Sequence, residues 1–92
     1  MKYQIRRTSQ FKKDYKRSIK RGLAIEKLDK AIELLAKDGF LLPEYKDHPL
    51  AGNKNGLREC HVEPYWLLIY RIDHGILVLI LTSTGSHSDL LE

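Results

Sequence analysis

Residues 76–83 read Ile-Leu-Val-Leu-Ile-Leu-Thr-Ser, an apolar run with no polar residue at alternate positions. Successive side chains of a strand point to opposite faces, so this segment is apolar on both and belongs inside a sheet, covered on both sides. It is far shorter than the ~18 residues a membrane span needs. The rest of the chain has to supply neighbours for this strand and a layer to cover it.

Two neighbours lie just upstream. Residues 57–62 (LRECHV) and 65–73 (YWLLIYRID) are rich in strand formers and are joined by Glu63-Pro64, while a His74-Gly75 turn leads into the apolar run. At the other end KYQIR is a further short strand. Between them, Thr8 or Ser9 can cap a helix whose buried stripe is Phe11, Tyr15 and Ile19, and Gly22 stops it. Ile25, Leu28, Ile32 and Leu35 then define a second helix that ends before Asp38-Gly39. The covering layer is a helical hairpin. The expected fold is therefore α+β with the order β-α-α-β-β-β, a helical hairpin on a mainly antiparallel sheet. Residues 40–55 lose periodicity and gather Pro43, Pro49, Gly52 and Asn53, a loop long enough to be suspected of function.

At 92 residues the chain is expected to be one domain, 1–92. Its single cysteine, Cys60, excludes an internal disulfide framework and reads as a small core residue of a protein kept in a reducing compartment. Without a membrane-length apolar stretch or a signal-peptide pattern, the expected location is the cytoplasm, with no membrane partner.

Charge is distributed unevenly. Residues 1–30 hold eleven Lys and Arg against three acids, a balance of +8, whereas residues 31–92 hold five against nine, a balance of −4. The densest piece, FKKDYKRSIKRG, sets Lys12, Lys13, Lys16 and Arg17 around the apolar line of the first helix. Such a face is either a solvated helix surface or a patch for phosphates, and only the second gives binding that weakens steeply with salt.

The histidines complete the pattern. Alternation along 57–62 places Leu57, Glu59 and His61 on one face and Arg58, Cys60 and Val62 on the other. With Cys60 and Val62 in the core, His61 faces away from the helices. A meander brings the end of the last strand, and so His87, near His61, while His48 lies in the long loop; His74, in the turn at the opposite end, cannot join them. Isolated histidines would be ordinary surface residues. Three on one face beside Lys46, Lys54, Arg58 and Arg71 suit attack of an RNA 2′-hydroxyl on its own phosphate, which needs a base, an acid and cations for the developing charge. That chemistry needs no metal or other cofactor, and the histidines lack the paired short spacing of a zinc site.

YKDHPLAG, RECHVEPYWLLIY and TGSHSDLL, in this order behind a basic helical hairpin, resemble the RelE/ParE superfamily of toxin–antitoxin toxins, most closely its YafQ-type mRNA interferases. The resemblance covers almost the whole chain. It implies a ribosome-dependent, metal-independent endoribonuclease that cuts mRNA in the decoding site, with His48, His61 and His87 catalytic. It also implies a cognate antitoxin and is compatible with a toxin–antitoxin heterotetramer. The chain departs from that branch at Ser83, where arginine is usual, at Tyr65, where aspartate is common, and at Leu91, where an aromatic residue is usual. These changes point to an RNase that is competent or attenuated. Two rival functions share the fold or the charge: a non-enzymatic ParE-like inhibitor of DNA gyrase, and a plain RNA- or ribosome-binding module.

Overall fold

The computed structural model describes residues 1–52 and 55–90. Strand β1 (Gln4–Arg7) leads into helices α1 (Ser9–Lys20) and α2 (Ile25–Asp38); the chain then crosses to β2 (His48–Pro49) and returns through β3 (Arg58–Glu63), β4 (Trp66–Asp73) and β5 (Val78–Gly85) to a single helical turn, α3 (His87–Leu90). The five strands form one sheet in the order β1-β5-β4-β3-β2. Among the described residues only the β1–β5 pair is parallel; the other pairs are antiparallel. The expected α+β arrangement is present, and among the described residues no helix is long and apolar enough to cross a membrane.

Helix signals sit where the local chemistry demands. The Thr8 hydroxyl accepts the Phe11 N–H at 3.0 Å and caps α1. Gly39 closes α2 in the left-handed region at φ 78°, and a Cβ there would come within 2.8 Å of the Tyr3 ring. One face of the sheet meets the helices in a core built from Phe11, Leu28, Leu35, Cys60, Leu68, Tyr70, Leu79 and Leu81. Burial pushes the Cys60 thiol up to about 12, so it is a packing group with no nucleophilic form at neutral pH.

Three features differ from the sequence expectation. The loop 40–55 contains a 3₁₀ turn (Pro43–Tyr45) and β2, which adds an edge to the sheet. The turn after β4 takes residues 74–77 in place of His74-Gly75 alone, because the Asp73 carboxylate accepts the N–H groups of Gly75 and Ile76 at 2.9 and 3.1 Å and delays β5 to Val78.

The third concerns α1. Phe11 is buried as expected, but Tyr15 is half-buried and Ile19 is 52% exposed; the buried line is Phe11, Asp14 and Ser18. The reason lies in the sheet. β1 stops opposite Leu81, leaving the last residues of β5 with an unpaired edge. Side chains replace the missing strand. The Thr8 hydroxyl donates to the Thr82 carbonyl at 2.7 Å, the Asp14 carboxylate accepts the Thr84 N–H at 3.1 Å, and Arg17 donates to the Thr84 carbonyl at 3.2 Å. A buried backbone group left unpaired costs roughly 1–3 kcal/mol, which is what makes a carboxylate worth burying here.

Candidate active site

Strand register assembles the site. His48 on β2 pairs with Glu59 on β3, and His61, two residues on, pairs with Leu67 on β4, which in turn pairs with Gly85 just before α3. The pairing shifts between His61 and Glu63, a bulge that re-aims the strand end. The result is a row of imidazoles running across the sheet. His48 and His61 have ring centroids 6.3 Å apart, and His61 and His87 are 6.5 Å apart. His74 is elsewhere, bonded to the Tyr3 hydroxyl at 3.0 Å.

Two of the rings have a defined proton. His48 Nδ1 lies 2.7 Å from the Lys46 carbonyl and His61 Nδ1 lies 3.3 Å from the Pro64 carbonyl. A carbonyl oxygen only accepts, so Nδ1 carries the hydrogen in both rings and Nε2 is the nitrogen left to gain or release a proton. In His48 this nitrogen stands 3.7 Å from a carboxylate oxygen of Glu59, which is only 5% exposed.

The cations fall into three groups. Lys46 lines an open groove of about 660 Å³ together with Lys27, Lys30 and His61. Arg58 is tied to Asp47 at 3.1 Å, and the same carboxylate accepts the Tyr70 hydroxyl at 2.6 Å. Burial, reinforced by Asp47, holds the Tyr70 phenol above its usual range, so it acts as a donor that steadies the loop carrying His48. Arg71 follows Ile69 on the face shared with Glu59, and its stem packs against Gly56. Lys54 lies outside the described residues, as does Leu91.

The basic helix is not part of the row. Lys12, Lys13 and Lys16 are exposed, and Lys12 and Lys16 rim a separate groove of about 570 Å³ lined by Ile5, Phe11, Tyr15 and Ile32. Arg17 is committed to Asp14 at 3.3 Å and to β5. Asp47, Asp14 and Asp89 carry little signal in the sequence pattern, because Tyr70, Thr84 and Arg21, the partners that tie them across the fold, are distant in sequence; the Lys-Asp-His order at 46–48 is the one local hint. Among the described residues no group of three or more His, Cys, Asp or Glu side chains is placed to hold a metal ion.

A family model described as a bacterial toxin of type II toxin–antitoxin systems, YafQ, matches residues 3–92. The chain belongs to the YafQ family. It is 40% identical over 87 residues to the mRNA interferase toxin YafQ of Escherichia coli K12, covering 94% of this chain and 92% of that one. The E. coli DinJ–YafQ toxin–antitoxin complex superimposes with a TM-score of 0.90 at 38% identity over the whole of both chains. A metal-bound toxin from Helicobacter pylori matches with a TM-score of 0.89 at 41% identity, over 96% of this chain and 98% of that one.

Proposed function

We propose that this chain is the toxin of a type II toxin–antitoxin pair and an endoribonuclease that cuts mRNA on the ribosome, using His48, His61 and His87 for proton transfer. The observation that carries this reading is the row of three imidazoles, with neighbours 6.3 and 6.5 Å apart. Rings so spaced are too far apart to bond each other and near enough to share one phosphate. A neutral imidazole takes the proton of the 2′-hydroxyl, the oxygen attacks the adjacent phosphorus, the bond to O5′ breaks, and a protonated imidazole supplies the hydrogen to O5′. His48 and His61 each offer Nε2 for this exchange. Lys46, Arg71 and Lys54 are the cations proposed to meet the charge growing on the phosphoryl oxygens; Arg58, expected from sequence to join them, lies on the opposite face beside Tyr70 and is held by Asp47.

An antitoxin follows from the same reading, supported by the DinJ complex of the relative. The apolar groove rimmed by Arg7, Lys12 and Lys16 suits an acidic, amphipathic segment that folds on binding. Such a partner would cover cations that otherwise meet ribosomal phosphates. Lys12→Gln, Lys13→Gln and Lys16→Gln combined, with Arg17 left in place to keep its contacts with Asp14, should lower the salt slope of ribosome binding by about 2, since fewer counterions are released. An unchanged slope would make these lysines a solvated surface only.

Ser83 tests the phosphate end. It pairs with Ile69, whose other neighbour is Glu59, so an arginine there reaches across the face toward the histidine row. Ser83→Arg should raise single-turnover cleavage roughly tenfold, within the ~3 kcal/mol that a preformed donor can supply. A rate that stays level or falls would mean that the new guanidinium is neutralised by Glu59.

The deciding experiment is primer extension on a translated mRNA after induction, beside the same mRNA incubated with protein and no ribosomes. Cuts within the translated region only when ribosomes are present are expected. Arrested replication with an SOS response and intact mRNA would replace the nuclease with a gyrase inhibitor; binding without cuts would leave a ribosome-binding module.

A further inference from the structure

His87 opens a helix of one turn, and no residue of α3 is buried. A single turn does not hold itself together in water, because nucleation costs more than one hydrogen bond returns. The position of His87 must be set from outside. Asp89 does part of this locally: its carboxylate accepts the Ser86 N–H at 2.9 Å while its own N–H donates to the Ser86 hydroxyl at 3.2 Å, a reciprocal cap around His87.

The same carboxylate is gripped from α1. Arg21 donates to both of its oxygens, at 2.7 and 3.2 Å, and Arg17 stands 3.9 Å away. Arg17 is anchored in turn by buried Asp14 and by the Thr84 carbonyl. Gly85 permits the close approach: a Cβ there would lie 2.8 Å from Asp89 Cβ and 3.0 Å from Arg17 Nη2. The Arg21 guanidinium, then the Ser86 N–H, holds the Asp89 carboxyl well below the usual carboxylate range, so the contact stays ionised wherever histidines titrate.

We propose that Asp89, clamped by Arg21 and Arg17, is a positioning residue that fixes His87 beside His61. The inference rests on the reading of His87 as a proton-transfer group. It gives part of the basic helix a second role, in which Arg17 and Arg21 act on the chemistry through this latch while Lys12, Lys13 and Lys16 remain available to phosphates.

The test combines kinetics with a measurement that needs no ribosome. Asp89→Asn should lower kcat ten- to a hundredfold with KM near the parent value, as a catalytic group displaced by about 1 Å does. Arg21→Gln should do the same, Arg21→Lys should keep most of the rate, and in a His87→Ala background Asp89→Asn should cost nothing further. In free protein the NMR cross-peak between the His61 and His87 rings should weaken in Asp89→Asn while signals of the Trp66 and Tyr70 rings stay in place. Arg21 is exposed, so its variants keep the test standing if Asp89→Asn fails to fold. Unchanged kcat and an unchanged cross-peak would overturn the latch, as would an additive loss in the His87→Ala background. If the parent cuts no mRNA, the proposed function fails, and the cross-peak alone still decides whether Asp89 places His87.

Discussion

His87→Ala should cut mRNA on translating ribosomes about 10²- to 10⁴-fold more slowly than the parent, the range that a positioned acid or base contributes. His87 sits 6.5 Å from His61 at the end of the imidazole row, with its side chain exposed at the start of α3. Replacing an exposed residue usually shifts stability by no more than ~0.5 kcal/mol, so folding, ribosome association and antitoxin binding should all be retained. A single-turnover cleavage assay at saturating ribosomes, with thermal unfolding as a control, separates the two effects. Cleavage at the parent rate would make His87 an ordinary surface residue and return the chemistry to His48 and His61.

Asp14→Ala should damage the fold more than any of the changes at the histidine row. Asp14 is 1% exposed and accepts hydrogen bonds from the Thr84 N–H and the Gln10 amide. Alanine leaves the Thr84 N–H buried and unpaired, at a cost of roughly 1–3 kcal/mol. Losing the contact with Arg17 adds less, because the Arg17 side chain is 35% exposed and solvent screens it. A total of about 2–3 kcal/mol lowers the melting temperature of a domain of this size by roughly 10–20 °C. Calorimetry or circular dichroism measures it directly. A fall of only a degree or two would show that water satisfies the end of β5 as well as Asp14 does.

Sequence pattern carried the main strands, both helices and the grouping of His48, His61 and His87 on neighbouring elements, each for a physical reason. Alternation at 57–62 placed Cys60 in the core with the helices, where the structure has it. The doubly apolar run after residue 76 marked an interior strand, which β5 is. What the pattern missed depends on partners distant in sequence. β2 is two residues long, too short for any periodicity, and exists because β3 offers it an edge. The buried stripe of α1 contains Asp14 in place of Ile19 because β1 stops before β5 does, and nothing near Asp14 in the sequence announces that mismatch. The proton positions on His48 and His61 likewise follow from carbonyl groups that only the folded backbone brings to them.

The parallel pairing of β1 with β5 bears on when the protein becomes active during its own synthesis. β1 comprises residues 4–7, and among the described residues its one strand partner begins at residue 78. Pairing over so long a separation forms late, after the loop-closure entropy of nearly the whole chain has been overcome. While β5 is still inside the ribosome, β1 has no neighbour, Asp14 and Arg17 have no edge to seal, and His87 has not been positioned. The proposed imidazole row is therefore incomplete until the segment carrying β5 and His87 emerges and the fold closes around it.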